Sequence, residues 1–407
     1  MLKRVLRSLV NFCVTSPYRV EYYLEAWCQY AKHRLTGGNS KTRILYYPGA
    51  ILKRPNSACA TRLALFVAYH QCEGVPVSNQ CYLKALLSSG FRIIYIHNGP
   101  LSAAAIESLS PFCERVLCRQ NIGQDFGAWK DAYLFASASN LLVEVEWLLM
   151  CNDSNFFIDG PNADQFVRRF SSEIEAGGSE LIALNKNYEL WQHYQSYFLC
   201  FNKSLFEQPA FGRFWRQYMP LSHRYHAIEN GEIAFTREVL STAVPKILYR
   251  SSDLLLQESC FYNNPALFYS LLPQNALYLA PPSSVECSID QLRLQRILAL
   301  LDYHNPSHVY ALLFVKYLGS PFLKKDILRQ GTFSMPQICA LLASIRLEEV
   351  NIGLFREVVC SFEIRGTNAS YIYCSKAAFR LGINGRASVF GGHGEALEGL
   401  GIRGMSS

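Results

Sequence analysis

Asn152-Asp153-Ser154 ends the apolar run Glu146 to Cys151 with one carboxylate between two neutral polar side chains. An apolar run that stops this abruptly reads as a buried strand delivering those residues to the carboxyl edge of a sheet, where open α/β sheets bind ligands. A strand-end carboxylate suits a divalent cation such as Mg2+ or Mn2+, which in turn neutralises a departing diphosphate. Asp153 is the expected ligand. With Asn152 and Ser154 as neighbours it is a single carboxylate, so the expected metal site is weak. Asp159 stands close enough in sequence to assist, or else belongs to the Asp-Gly-Pro turn that follows.

A second cluster lies upstream in Asn121 to Phe135. Gly123 permits a tight turn, Asp125 suits a helix N-terminus, and Ala128, Trp129, Ala132 and Tyr133 continue at helical spacing. A helix beginning beside the strand-end rim offers N–H groups to an anion such as a diphosphate. The plainer alternative is that Asp125 only caps the helix and Asp131 is solvated on its surface. Asp125-Phe126-Gly127 also spells the kinase metal motif, but the sequence has no His-Arg-Asp loop and no matching Gly-rich loop, so that match is discarded.

The elements that must position these clusters alternate. Strands are expected at 63–69, 92–99, 114–118 and 146–151, with a helical stretch from Asn79 to Ser88. Strand, helix, strand in repetition implies parallel pairing with right-handed crossovers, so the strands aim their carboxyl ends at one rim. Further strands are expected at 180–185 and 196–202, and a helix begins at 211–218. Helical patterning then dominates over Glu229 to Leu240, Ser288 to Leu301 and Ser307 to Leu318, the last capped by Asn305-Pro306-Ser307. From about Gly353 the periodicity fades, and the Gly-rich end reads as a poorly ordered tail.

Composition narrows the class. At 407 residues, 50% hydrophobic and 13% aromatic, the chain holds either two domains or one large α/β domain with extensions, and overall disorder is excluded. Fourteen cysteines scatter from Cys13 to Cys374 with no Cys-x-x-Cys pair, which points to a reduced, cytoplasmic compartment and away from zinc. No apolar run is long enough to span a membrane, and the start lacks a signal-peptide pattern, so the chain is expected to be soluble or peripheral. Residues 1–54 carry ten Lys/Arg against Glu21 and Glu25, a net +8 in a chain whose total is +7. With Leu2, Val5, Leu6, Leu9 and Val10 at helical spacing, this segment either lies on an anionic membrane surface or packs as an amphipathic helix on its own domain. No nucleic-acid partner is expected.

The order Asn121-Ile122-Gly123, Asp125-Phe126-Gly127 and, after a strand, Asn152-Asp153-Ser154 resembles the rhamnan synthesis protein F family, glycosyltransferases of bacterial polysaccharide assembly. Gln195-Ser196-Tyr197-Phe198 with Phe211 and Trp215 extends the likeness, as does the stretch from Asn305-Pro306 to Pro321-Phe322-Leu323-Lys324. It covers roughly residues 60 to 330. The resemblance implies an α/β, GT-A-like (Rossmann-like) and mostly parallel sheet flanked by helices, with a helical C-terminal extension. The expected organisation is a basic amphipathic segment (1–58), a GT-A-like nucleotide-sugar-binding domain (59–245), a helical extension (246–350) and the Gly-rich tail (351–407), of which the basic segment and the tail lie outside the resemblance.

The same resemblance implies transfer of a deoxyhexose, typically L-rhamnose from dTDP-L-rhamnose, onto a growing polysaccharide or lipopolysaccharide glycan on a lipid carrier, and the basic N-terminal segment is expected to hold the chain peripherally at the inner membrane surface. By that analogy Tyr69, His70, His97 and Asn98 face the base and ribose of the donor. Asn121 and Asp125 sit nearer the ribose or donor sugar, and Asn152, Asp153 and Ser154 at the diphosphate. Inversion in a single displacement needs one base for the acceptor hydroxyl. Glu232 is the expected base and Glu229 the next choice, although Glu at a helix start is also what the macrodipole favours. Gln195 and Ser196 are expected to hydrogen-bond the acceptor sugar, and Trp191 or Tyr197 to stack on its apolar face. A UDP- or GDP-sugar donor, and a non-catalytic glycan- or partner-binding role, are the alternatives.

Overall fold

Continuous apolar runs, buried on both faces, make the centre of the sheet, as expected of parallel strands covered by helices on each side. The computed structural model describes residues 23–32, 35, 44–51, 61–70, 74–188, 191–274, 276, 289, 291–302, 304–329, 332–344 and 350–365. In chain order its elements begin with helix α1 (residues 23–32), β1 (Ile44–Ile51), β2 (Arg62–Ala68), α2 (Val77–Ser88), β3 (Arg92–Asn98) and α3 (Ala103–Leu109). There follow β4 (Arg115–Arg119), α4 (Gln124–Ala138), β5 (Trp147–Asn152), β6 (Asn155–Phe157) and α5 (Pro161–Ala176). The remaining strands are β7 (Leu181–Ala183), β8 (Lys186–Asn187), β9 (His193–Tyr194), β10 (Phe198–Asn202), β11 (Pro245–Ile247) and β12 (Phe322–Lys324).

The sheet has eight strands in the order β1-β4-β3-β2-β5-β10-β7-β11. Pairing is parallel from β4 through β3 and β2 to β5, so these four strands end at one rim, as the alternation of elements requires. β10, which is not one of those four strands, runs antiparallel to both β5 and β7. Its reversal has a consequence for the site: residues just before β10 lie at the same rim as residues just after β5, with Phe198 opposite Cys151.

Alternate residues of β2 feed two cores. Leu63, Leu65 and Val67 pack with Phe126, Trp129 and Trp215 on one face. Ala64, Phe66 and Ala68 face the other side, with Tyr82, Phe157 and Phe166. The helical C-terminal part belongs to that second core, since Leu294, Tyr310, Leu313 and Ile338 join the same cluster as Phe66. Each fully buried side chain of this size contributes about 1.5–3 kcal/mol, so the C-terminal helices are a structural layer of the α/β unit.

Three local readings need correction. Phe322–Lys324, expected within helical surroundings, is a strand that pairs antiparallel with β6, Lys324 opposite Asn155. The helix Val350–Arg365 extends well into the stretch read as tail, and buries Leu354, Phe355, Val358 and Val359. Asp131 is not solvated on the surface of α4. It is buried and bonded to Arg119, itself fully buried, with Nε 2.8 Å from Oδ2. Residues 1–22, with the expected amphipathic stretch from Leu2 to Val10, and the tail after 365 lie outside the described residues.

Candidate active site at the strand-end rim

The turn from β4 into α4 sets the first carboxylate. Gly123 adopts a left-handed φ of +77°, and a Cβ there would come within 2.3 Å of Pro220 Cβ, so only glycine fits. The turn places Asp125 in the first turn of α4, where its Oδ2 accepts from Asn152 Nδ2 at 2.7 Å. Asn152 is thereby committed on both ends of its amide, because its Oδ1 accepts from Ser154 N at 3.1 Å and Ser154 Oγ at 2.6 Å. Burial, then the nearby charge of Asp153, pushes the Asp125 carboxyl up to about 7, against the opposing effects of Lys324 and the Asn152 hydrogen bond.

Asp153 leaves the end of β5 on the other side. Its backbone N–H donates to Val67 O at 3.0 Å, and its Oδ2 accepts from Tyr69 N at 3.3 Å. Lys325 Nζ lies 3.9 Å from the same oxygen and 3.9 Å from Glu357 Oε1. Lys324 Nζ donates to Ser154 Oγ at 2.8 Å and stands 4.4 Å over the Tyr197 ring. Lys324 has no assigned role in the sequence motif that contains it, and no motif marks Lys325 or Glu357. The pairing of β12 with β6 brings both lysines in, with Lys325 N donating to Ser154 O at 3.1 Å.

The reversed β10 supplies the flank. Ser196 Oγ donates to Glu232 Oε1, and His193 Nε2 lies 3.5 Å from Glu232 Oε2. His193 Nδ1 bonds the Trp191 carbonyl at 2.7 Å, so Nε2 accepts from the Gln195 amide, 3.4 Å away, when the ring is neutral and donates to Glu232 when it is charged. Glu232 sits on a π-helical stretch, Ala227–Ile233, a distortion often found at functional sites. Glu229, on the same stretch, is exposed and joins none of these contacts. Gln195 is buried, its Oε1 within 3.4 Å of Asn305 Nδ2 and of Ser307 Oγ, which ties the loop before β10 to the C-terminal helices. Trp191 is 73% exposed.

At the ends of β2 and β3 the arrangement is more structural. His70 N donates to His97 Nε2 at 3.2 Å, which leaves the proton on Nδ1, directed at Gly99 O at 3.1 Å. Burial lowers the pKa of His97. Tyr69 is 43% exposed and stacks 6.4 Å from the His97 ring, so it is the member of this group most open to a ligand. Asn98 is buried and its Oδ1 accepts from Arg119 Nη1, which commits it to the Arg119–Asp131 pair. Asn121 is exposed on the loop before α4.

The donor set for a divalent cation is poor. No group of three or more His, Cys, Asp or Glu residues suited to a metal occurs among the described residues. Asp159, the possible helper, turns to Lys84 at 3.6 Å. Any cation at Asp153 would meet the ammonium of Lys325 beside it. A separate hollow of about 510 Å³, lined by Tyr133, Asn140, Phe206 and Arg216 among others, lies by the carboxyl end of α4, away from the rim.

The model of the rhamnan synthesis protein F family matches residues 93–245. That span holds Asn121 to Gly127, Asn152 to Ser154, Gln195 to Phe198, Phe211 and Trp215, so the resemblance read from these motifs is borne out there; the stretch from Asn305 to Lys324 lies beyond it. An uncharacterized protein of Sinorhizobium fredii (strain NBRC 101917 / NGR234), y4gN, is 26% identical over 196 residues, 47% of this chain and 50% of the relative. The chain thus spans about half the length of the curated relative it matches. Among solved structures, the glycosyltransferase GlyE of Streptococcus pneumoniae TIGR4 is similar at 13% identity over 59% of this chain and 63% of that one, with a TM-score of 0.30. Among the described residues no helix is long and apolar enough to cross a membrane.

Proposed function

We propose that this chain is a glycosyltransferase with a GT-A-like donor domain that moves a deoxyhexose, L-rhamnose from dTDP-L-rhamnose, onto a growing bacterial polysaccharide or lipopolysaccharide glycan. The observation that carries the reading is the joining of Asp125, Asn152 and Ser154 at one rim, with Glu232 held by Ser196 on its flank, inside the span that matches the family model. An α-linked product from a β-linked donor requires inversion. In that step the acceptor oxygen bonds to the anomeric carbon as the bond to the β-phosphate oxygen breaks. The electron pair leaves with the nucleoside diphosphate, and Glu232 takes the acceptor proton. Ser196 and His193 orient the Glu232 carboxylate for that role, and exposed Trp191 offers a stacking face to an acceptor sugar.

Association with the inner membrane surface is part of the same proposal. Helix α1 binds the body through Gln29, which accepts from Ser222 N at 2.8 Å, and through Glu25 beside His223 at 3.4 Å. It leaves Tyr23, Leu24, Trp27 and Tyr30 exposed, and the surrounding sequence is basic. Aromatic side chains beside basic ones suit an anionic headgroup layer.

The test is a donor screen with dTDP-L-rhamnose, UDP-sugars and GDP-sugars that follows release of free nucleoside diphosphate in the presence of a lipid-linked glycan acceptor. Acceptor-dependent release from dTDP-L-rhamnose supports the reading. Release from a UDP- or GDP-sugar alone keeps the enzyme and replaces the donor. No release from any donor, with no binding of nucleoside diphosphates, favours a non-catalytic binding role.

A further inference from the structure

We infer that Lys324 and Lys325, brought to the rim by the pairing of β12 with β6, are the cationic partners of the donor's diphosphate, and that the site binds a nucleoside diphosphate without a divalent metal. The inference rests on the donor-binding reading above and adds to it the chemistry of charge neutralisation.

Among the described residues neither ammonium group has a carboxylate oxygen within hydrogen-bond distance. The hydrogen bond of Lys324 Nζ goes to the neutral hydroxyl of Ser154 at 2.8 Å, and its charge otherwise rests over the Tyr197 ring at 4.4 Å. Lys325 Nζ has two carboxylate neighbours, Asp153 and Glu357, both at 3.9 Å, beyond hydrogen-bond length. An ammonium has three N–H donors, and one held in a protein interior without a close anion is costly. Burial accordingly lowers the pKa of Lys324, against the pull of Asp326, Glu232 and Asp125. Phosphate oxygens arriving at the rim would give both groups the hydrogen bonds to an anion that they lack.

The neighbouring geometry agrees. Ser154 Oγ, which Lys324 touches, also donates to Asn152 Oδ1 at 2.6 Å, and Asn152 holds Asp125. Lys324 is therefore fixed to the strand-end motif by a chain of hydrogen bonds, where a donor diphosphate would sit. A divalent cation at the same place would meet the ammonium of Lys325 beside Asp153, and of the neighbouring described carboxylates Asp125 is held by Asn152 and Asp159 is paired with Lys84. Two lysines supply the same charge as one such ion.

Calorimetric titration of the full chain with dTDP, UDP and GDP decides the matter, in EDTA and again in Mg2+ or Mn2+, with thymidine as the phosphate-free probe. The expected result is binding of at least one nucleoside diphosphate in EDTA, with a Kd within about threefold of that in metal. Lys324→Gln should then weaken it tenfold or more and Lys324→Arg by much less, with thymidine binding unaltered. If Lys324→Gln does not fold, Lys325→Gln carries the same test, with an expected loss of at least threefold. Binding that appears only with metal, or a Kd unmoved by the lysine variants, overturns this inference and leaves the glycosyltransferase reading standing. Failure of every nucleoside diphosphate to bind in either buffer overturns both.

Discussion

Asn152 Nδ2 donates to Asp125 Oδ2 at 2.7 Å, so the last residue of β5 holds the carboxylate in the first turn of α4. The two motifs that stand out in the sequence are thus one hydrogen-bonded unit.

Asp125 should make stability fall as pH rises. Its folded pKa of about 7 lies above the ordinary carboxylate value because of burial and the Asp153 charge. Between about pH 4, where an unfolded Asp ionises, and the folded value, the folded chain keeps a proton that the unfolded chain has lost. Stability therefore declines across that window and levels off above it. Asp125→Asn removes the ionisation and should be more stable than the wild type by about 1–2 kcal/mol at pH 8, with a much smaller gap at pH 4.5. Urea midpoints at the two values check this; a gap independent of pH would refute it.

The Arg119–Asp131 pair should be expensive to break. Arg119 is fully buried and donates to Asp131, Asn98 and Ile122 O, so removing its carboxylate strands a charge away from water. Asp131→Ala should cost about 3–5 kcal/mol, whereas replacing both partners by apolar residues of similar volume should recover much of the loss. Denaturant unfolding of the single and double variants gives the comparison, and a double variant no better than the single would count against it.

How much of this was legible follows the distance over which each interaction acts. The strands β2, β3 and β5 announce themselves because both faces are buried and their apolar runs are unbroken. Asp125, Asp153 and Glu232 were readable as strand-end or helix-start carboxylates. The two lysines were not, because β12 is only three residues long and its partner β6 lies more than 160 residues earlier. The helix Val350–Arg365 does carry a stripe in Leu354, Phe355, Val358 and Val359, but Gly353 reads as a breaker. In the fold that glycine allows close approach to α2, a Cβ there lying 3.2 Å from Val77 Cγ2. The burial of Asp131 was hidden for a similar reason: Arg119, its partner, is on another element, and helical spacing alone cannot tell a paired carboxylate from a solvated one.

Glu357 should prove to be the latch of the C-terminal helix. Its carboxylate accepts from Ser78 N at 2.9 Å and Ser78 Oγ at 2.6 Å, which caps the first turn of α2 from a helix far away in sequence. Glu357→Ala should cost about 1–2 kcal/mol, the range for a lost helix cap. Faster amide hydrogen exchange is expected in the first turn of α2 and along Val350–Arg365, with β2 and β3 unchanged. Exchange that rises equally in the central strands would mean global destabilisation instead.

On the proposed reading Glu232 acts on the acceptor proton and the lysines act on the donor phosphates, and that division of roles yields the sharpest functional prediction. Its carboxylate accepts from Ser196 Oγ and faces His193 Nε2, on the flank formed by the reversed β10, while Lys324 and Lys325 stand by Asp153 and Ser154. Glu232→Gln preserves size and hydrogen bonding but abolishes basicity, so turnover should fall by a factor of about 10²–10⁴, the usual contribution of a general base. Nucleoside diphosphate affinity should stay within about threefold, since a lost transition-state interaction lowers kcat and leaves ground-state binding alone. Ser196→Ala frees the carboxylate to rotate without changing its charge, so it should lower kcat by less, about tenfold for the loss of one hydrogen bond of about 1.4 kcal/mol. Steady-state rates and equilibrium titration of the two variants provide the check. Should Glu232→Gln weaken nucleotide binding as much as it slows turnover, Glu232 would belong to the donor site and the acceptor base would have to be sought elsewhere on the rim.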